Sequence, residues 1–236
     1  MAEVRKALVL AATPDALTVV AGLPLAVRAV LALEAAGLTE IAVAAGEQAL
    51  ALHERLDRRR LGDRAAWLAT PEDAAKWAGA SPVLVLVGTV LFDGAVLARL
   101  AEAGAERRVI RAAAPSGGLR VVVCPGGLLP ALLGELAGGR RSLTEALARV
   151  GELDGPAVPL GEGLYAPLDA AHPPATLQAA LFTDLARRTA AKDSYLAALI
   201  DRRLSRPITG LLLPVPITPS QLTVVSVALG LLGAAR

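Results

Sequence analysis

A stretch near the N-terminus lies where a phosphate-binding loop would be expected. It separates a short apolar run, Ala7 to Ala12, from a helical segment, Leu25 to Ala36. Proteins with alternating strands and helices bind phosphate where the turn after a strand meets the start of a helix, because unpaired backbone N–H groups converge there. We therefore treat residues 11–25 as a candidate nucleotide-binding loop.

A second candidate site follows the strongest strand signal, the apolar run from Val83 to Val90. Asp93 comes shortly after it, and a carboxylate at the end of a strand could bind a divalent metal. The same carboxylate could accept hydrogen bonds at the start of the next predicted helix, and we favour this capping role. His53, His172 and the lone Cys124 are too few and too scattered for a metal cluster or an internal disulfide.

The elements around these candidates alternate between strands and helices. Apolar runs such as Ala7 to Ala12, Ile41 to Ala45 and Val83 to Val90 are typical of parallel strands buried on both faces. Helical periodicity separates them, and Gly37 ends the first predicted helix. The sequence therefore predicts an α/β fold, with a Rossmann-like, mostly parallel sheet over residues 1–172.

The last quarter of the chain differs in composition. Net charge is only +2 overall, which gives no reason to expect nucleic acid as a partner. Residues 173–206 predict a basic amphipathic helix, and residues 207–235 contain no formal charge. We expect six cations to lie at anionic lipid headgroups: Arg187, Arg188, Lys192, Arg202, Arg203 and Arg206.

Within residues 207–236, Leu222 to Ala235 form an apolar stretch of 14 residues. A helix of this length spans only ~21 Å, against a hydrocarbon core of ~30 Å. We therefore expect a partial transmembrane helix, in a chain that stops within its membrane domain.

The first part of the chain resembles the sugar-phosphate nucleotidyltransferases, which are MobA-like in fold. Leu8 to Ala12 match the family's first strand, and Val20 to Leu25 match its Val-x-Gly-x-Pro-Leu segment. The resemblance implies Mg²⁺ as cofactor, with metal-binding aspartates at the positions of Thr89 and, by a weaker match, Asp169. Together with the turn discussed below, it implies nucleotide contacts at Ala12, Thr13, Gly22, Pro24, Thr89 and Thr223.

Two departures from that family concern its electrostatics. The loop between the matching segments lacks the family's Gly-x-Gly, Arg and Lys, which approach and neutralise the triphosphate. Thr89 supplies a neutral hydroxyl where the family has a carboxylate. We therefore expect a degenerate head domain with no catalytic residues of its own and with Asp93 and Asp169 as its remaining candidate metal ligands.

The last part of the chain resembles the entry into CDP-alcohol phosphatidyltransferases. It has a basic helix, a Thr218-Pro219-Ser220 turn with Thr223, and then an apolar helix. Ser220 stands where that family usually has Asn, and the family's Asp-Gly-x-x-Ala-Arg motif is not in these 236 residues. The order of the two parts is similar to bifunctional enzymes that make CDP-inositol and then di-inositol phosphate.

Three functions follow as hypotheses. The first is a fragment of a membrane transferase that moves a phospho-alcohol from a CDP-alcohol, with the head in the cytoplasm at the face of the cell membrane. The second is an active, CTP-dependent nucleotidyltransferase that makes a CDP-alcohol or a sugar nucleotide. The third is a non-catalytic scaffold or regulatory domain. Expected partners are the lipid surface, CTP or a CDP-alcohol, and a second copy of the chain through the membrane domain.

Overall fold

The computed structural model describes residues 4–58, 65–103, 109–113, 118–136, 141–152, 156–159 and 163–190. It divides the chain into two units, residues 1–184 and 185–236, of which the second is described only over residues 185–190. The predicted partial transmembrane helix at 207–236 lies outside the described residues. So do Lys192, Arg202, Arg203, Arg206 and Thr223. Within the described ranges, no helix has the length and hydrophobicity needed to cross a bilayer.

A seven-stranded sheet forms the centre of the first unit. Its strands, in spatial order, are β10 (Ala157–Pro159), β8 (Ile110–Ala113), β9 (Val121–Pro125), β6 (Pro82–Val87), β1 (Lys6–Leu10), β4 (Glu40–Ala44) and β5 (Ala65–Trp67). Two small antiparallel pairs accompany it: β2 (Val19–Val20) with β3 (Leu23–Pro24), and β7 (Val90–Phe92) with β11 (Tyr165–Pro167).

Helices cover the sheet and connect its strands. In chain order they are α1 (Leu25–Ala35), α2 (Ala49–Arg58), α3 (Pro71–Ala78), α4 (Gly94–Ala103), α5 (Leu129–Leu136), α6 (Leu143–Arg149) and α7 (Pro174–Ala190). Short 3₁₀ turns at Pro14–Leu17, Gly46–Gln48 and Gly126–Leu128 lie in the connections.

The core strands owe their position to side chains that are apolar on both faces. Every residue of β6 from Pro82 to Leu86 is buried, and the alternate faces of the strand contribute to two separate apolar clusters. Leu84 and Leu86 pack on one side of the sheet, and Val83 and Val85 pack on the other. This double burial confirms that the unbroken apolar runs are strands of a two-sided sheet.

The prediction of a mostly parallel sheet is confirmed, with β9 as the exception. β1 pairs in parallel with β4 and β6, whereas β9 is antiparallel to both β6 and β8. The connection between β8 and β9 covers residues 114–120, which is shorter than the crossover of a dozen or more residues that a parallel pair needs. β9 therefore begins at the edge of the sheet where β6 ends.

One predicted strand is divided in the structure. The run Val83 to Val90 forms β6 up to Val87 and then turns at Gly88 and Thr89 before β7 begins. Gly88 donates a backbone hydrogen bond of 2.7 Å to the carbonyl of Leu10, and a Cβ there would lie only 3.0 Å from the same oxygen. This close approach of two backbones disfavours a side chain at the position where β6 ends.

The C-terminal helix begins as part of the α/β unit. α7 buries Leu177 in a small cluster with Val20, Leu25, Leu91 and Ala166. The compact unit runs to Asp184 and includes Leu177 in its core. Arg187 and Arg188 lie in the last turn of α7 and are exposed.

Candidate nucleotide-binding site

A cavity of about 500 Å³ opens at the carboxyl ends of three parallel strands. Leu10, Ala44 and Val87, which end β1, β4 and β6, all line it. The chain leaves β1 toward β4 on one side and later returns to pair β6 with the other side of β1. Such a change of direction opens a crevice beyond the strand ends, which is where α/β proteins bind their ligands.

The cavity combines apolar walls with a few polar groups. Its apolar lining includes Leu68, Leu133, Leu136, Leu143 and Leu168. Polar side chains at its edge are Thr13, Asp15, Thr70, Thr89, Arg120, Arg141 and Ser142. This mixture is typical of a small-molecule site, where apolar contact gives affinity and a few polar groups fix orientation.

The β1 side of the cavity consists of Ala12, Thr13 and Asp15, in the loop predicted to bind nucleotide. The loop is fixed because the Ala11 N–H donates to the carbonyl of Ala44 over 2.8 Å, and the Ala16 N–H donates to that of Thr13 over 3.0 Å. These bonds hold Ala12 and Thr13 at the cavity, and their predicted contacts with a nucleotide stay a prediction. Asp15 brings an acidic group to this side.

Gly22 and Pro24 do not line the cavity, so the structure places these two predicted contacts elsewhere. They belong to the β2–β3 hairpin, where Gly22 has φ +78° and Pro24 immediately precedes α1. The Arg28 side chain donates to the carbonyls of Val20 and Ala21 over 2.7 and 2.8 Å. The Val-x-Gly-x-Pro-Leu segment thus builds a hairpin and a helix start.

Thr89 lines the cavity at the turn between β6 and β7. It is buried, with 7% of its surface exposed, and its carbonyl accepts a 2.9 Å hydrogen bond from the Leu168 N–H. This bond brings the backbone before Asp169 next to Thr89.

Asp169 itself is engaged in a local turn. Its Oδ1 accepts hydrogen bonds from the backbone N–H groups of Ala171 and His172 and lies 2.8 Å from His172 Nδ1. The side-chain hydrogen bond from His172 is the main cause that lowers the pKa of Asp169. Asp169 is exposed and is not among the residues that line the cavity.

Asp93 has the capping role that we favoured over metal binding. Its Oδ1 accepts a 2.9 Å hydrogen bond from the Ala95 N–H at the first turn of α4, and the residue is buried with 8% of its surface exposed. It does not line the cavity. In the described part of the chain, no three His, Cys, Asp or Glu side chains come together as metal ligands.

Two arginines that are not among the predicted site residues also lie at the cavity. We define the β9 side of the cavity by Arg120, Arg141 and Ser142. The carbonyl of Arg120 accepts a 2.9 Å hydrogen bond from the Val87 N–H, which holds this residue beside the end of β6. In the sequence, Arg120 is distinguished only by its position, as a cation directly before the apolar strand Val121–Pro125.

Helices with strong N-terminal caps fix two walls of the cavity. Thr70 at the start of α3 and Ser142 at the start of α6 each form a reciprocal capping box, with Asp73 and Glu145. Hydrogen bonds from Ser142 to the Glu145 carboxylate lower the pKa of that residue. Thr144 also accepts a 2.9 Å hydrogen bond from the Leu119 N–H, which ties α6 to the segment that carries Arg120.

No family model and no curated protein matches this chain. Solved structures do match in fold. One is 4-diphosphocytidyl-2C-methyl-D-erythritol synthase from Anaerococcus prevotii, with 11% identity, a TM-score of 0.54, and 76% of this chain and 96% of that chain covered. Another is UDP-glucose pyrophosphorylase complexed with UDP-glucose, with 14% identity, a TM-score of 0.50, and 79% and 99% covered.

These neighbours are nucleotidyltransferases, so the α/β unit has the fold of that class. The predicted resemblance of the head is confirmed at the level of fold. At these identities the likeness carries no substrate or reaction across to this chain. Chemistry must be argued from the cavity itself.

Proposed function

We propose that the α/β unit binds a nucleotide in the cavity at the ends of β1, β4 and β6. The observation that carries this proposal is the cavity's position at the point where the strand order reverses, with hydroxyls and arginines set over an apolar floor. Its volume of about 500 Å³ lies within the range of small-molecule sites. CTP is the nucleotide that the sequence resemblance favours.

The same residues argue against efficient metal-dependent nucleotidyl transfer. Thr89 offers a neutral hydroxyl, Asp169 is engaged with His172, and Asp93 caps α4. Mg²⁺ requires oxygen ligands in near-octahedral geometry, usually including carboxylates, and the described residues do not group them. We therefore propose nucleotide binding by a head that regulates or supports a partner activity, and we derive no transfer step.

A matched pair of tryptophan substitutions tests the nucleotide site. Ala69 is exposed at the edge of the cavity, so Ala69→Trp should obstruct it, whereas Ala131 is exposed on α5 and does not line it. We expect calorimetric titration to show CTP binding that Ala69→Trp weakens at least about tenfold and Ala131→Trp leaves unchanged. If no binding is detected with any of the four nucleoside triphosphates, with or without Mg²⁺, the proposal is refuted.

We also propose that the C-terminal part belongs to a membrane transferase of the CDP-alcohol phosphatidyltransferase type. The support is the basic segment, the Thr218-Pro219-Ser220 turn and the uncharged stretch that follows them in the sequence. On this proposal the complete protein lies at the cytoplasmic face of the membrane, transfers a phospho-alcohol from a CDP-alcohol with Mg²⁺, and could pair through its membrane domain. Arg187 and Arg188, exposed at the end of α7, would begin its lipid-facing surface.

Vesicle sedimentation tests this membrane surface. Neutralising Arg202, Arg203 and Arg206 with glutamine should reduce binding to vesicles that contain phosphatidylglycerol about tenfold or more, because each cation near an anionic surface contributes about 1 kcal/mol. The control replaces three exposed cations of the α/β unit, Lys76, Arg99 and Arg149, with glutamine. Equal losses in both triple variants would show that the binding is not specific to the basic segment.

A further inference from the structure

Arg120 has a hydrogen-bonding group that the protein leaves unused. Among the described residues its Nε is buried and has no hydrogen-bond partner, and Arg120 is one of the residues that line the cavity. Burying a polar N–H without a partner is costly, and an N–H of a cation more so. A ligand oxygen would remove that cost once a rotation of the side chain brings Nε to the cavity surface.

Among the described residues that line the cavity, the cations lie directly before β9 and directly before α6. These two cations, Arg120 and Arg141, both belong to the β9 side. Arg141 already forms an ion pair with Glu135, which offsets part of its charge. The β1 side presents the hydroxyl of Thr13 and the carboxylate of Asp15, so an anionic group is favoured near Arg120.

We propose that Arg120 binds the phosphate group of the ligand, and that the uncharged part of the ligand lies toward Thr13. A guanidinium suits this role because its planar N–H groups match two oxygens of a phosphate at once. The assignment places phosphate recognition at the start of β9, and not in the loop after β1. It rests on the proposed function only in so far as the phosphate belongs to a nucleotide, since a phosphorylated alcohol or free phosphate offers the same chemistry.

Titration of the full chain with four probes separates these sources. The probes are CTP, cytidine, glycerol 3-phosphate and inorganic phosphate, tested with the wild type, Arg120→Gln, Arg120→Lys and the exposed control Arg149→Gln. We expect Arg120→Gln to weaken the phosphorylated probes about ten- to a hundredfold, as the loss of a charged hydrogen bond implies. Cytidine binding should change less than threefold, and Arg149→Gln should match the wild type with every probe.

Arg120→Lys keeps the charge but loses the planar pair of donors. We therefore expect its affinity for the phosphorylated probes to lie between those of the wild type and Arg120→Gln. Thermal unfolding of each variant separates a binding defect from a folding defect. If Arg120→Gln does not fold, Arg120→Lys carries the test, and its selective loss of phosphorylated probes supports the proposal.

Two results would overturn the assignment: CTP binding that is unchanged in Arg120→Gln, or an equal loss in Arg149→Gln. If cytidine and CTP bind equally tightly and without dependence on Arg120, the nucleotide site stands and the phosphate assignment fails. If none of the four nucleoside triphosphates binds but glycerol 3-phosphate or phosphate binds through Arg120, the proposed function fails and the phosphate assignment stands. Absence of binding by all four probes and by the other three nucleoside triphosphates refutes both.

Discussion

The β1 side and the β9 side of the cavity differ in backbone arrangement and in charge. On the β1 side, the backbone follows the strand–loop–helix path of a nucleotide-binding fold, yet Thr13 and Asp15 bring no cation. On the β9 side, an antiparallel strand carries Arg120 beside the end of β6. Strand order therefore fixes where a ligand lies, whereas individual side chains decide which part of the ligand each side can bind.

Gly126→Ala should break the β9 side most severely, because it disturbs the other end of that strand. A Cβ at Gly126 would lie 2.6 Å from the carbonyl oxygen of Gly79 and 2.7 Å from that of Ser81. Gly126 also donates a 3.0 Å hydrogen bond to Ser81. Since backbone oxygens cannot move aside cheaply, we expect a loss of roughly 3 kcal/mol of unfolding free energy in urea titrations.

The neighbouring glycine supplies the matched control for this substitution. A Cβ at Gly127 would meet nothing within 4 Å, and the residue is exposed. Gly127→Ala should therefore change the unfolding free energy by less than about 1 kcal/mol. Equal losses at both positions would mean that the tight packing at Gly126 does not hold β9 in place.

Much of the fold could be predicted because each core strand is visible in the sequence as its own apolar run. Apolar runs identify β1, β4 and β6 without any knowledge of their neighbours, and Gly37, with φ +87°, ends α1 as expected. The division of the run at Val87 could not be predicted in this way. It depends on the backbone of Leu10 approaching Gly88, and these residues meet only in the folded sheet.

The candidate site could be predicted only in part, for the same reason. Ala12, Thr13 and Thr89 lie in the cavity because they directly follow the strands that form its floor. Arg120 was missed since its place depends on β9 running antiparallel to β6, which brings its amino end to the carboxyl end of a distant strand. No spacing rule within the sequence expresses that contact.

The thiol of Cys124 in β9 should make the stability of the protein depend on pH, with a smaller effect than the glycine substitution. Cys124 is fully buried in this strand, and burial, with a lesser contribution from the charge of Glu152, raises the pKa of its thiol to about 12 from 9.0. The folded state therefore favours the neutral thiol. In the unfolded chain the thiol ionises near pH 9, so unfolding releases a proton above that pH, and stability falls as the pH rises toward 12.

We expect this thiol to lower the unfolding free energy by about 1 kcal/mol between pH 8 and pH 10, since one pH unit above the unfolded pKa corresponds to about 1.4 kcal/mol. Urea titrations of the wild type and Cys124→Ala at the two pH values give the change in unfolding free energy with pH for each protein. The difference between these two changes is the contribution of the thiol. The alanine variant loses packing at both pH values but lacks the ionisable group, so its pH dependence should be flatter. Parallel pH profiles for the two proteins would show that Cys124 is not held neutral by burial.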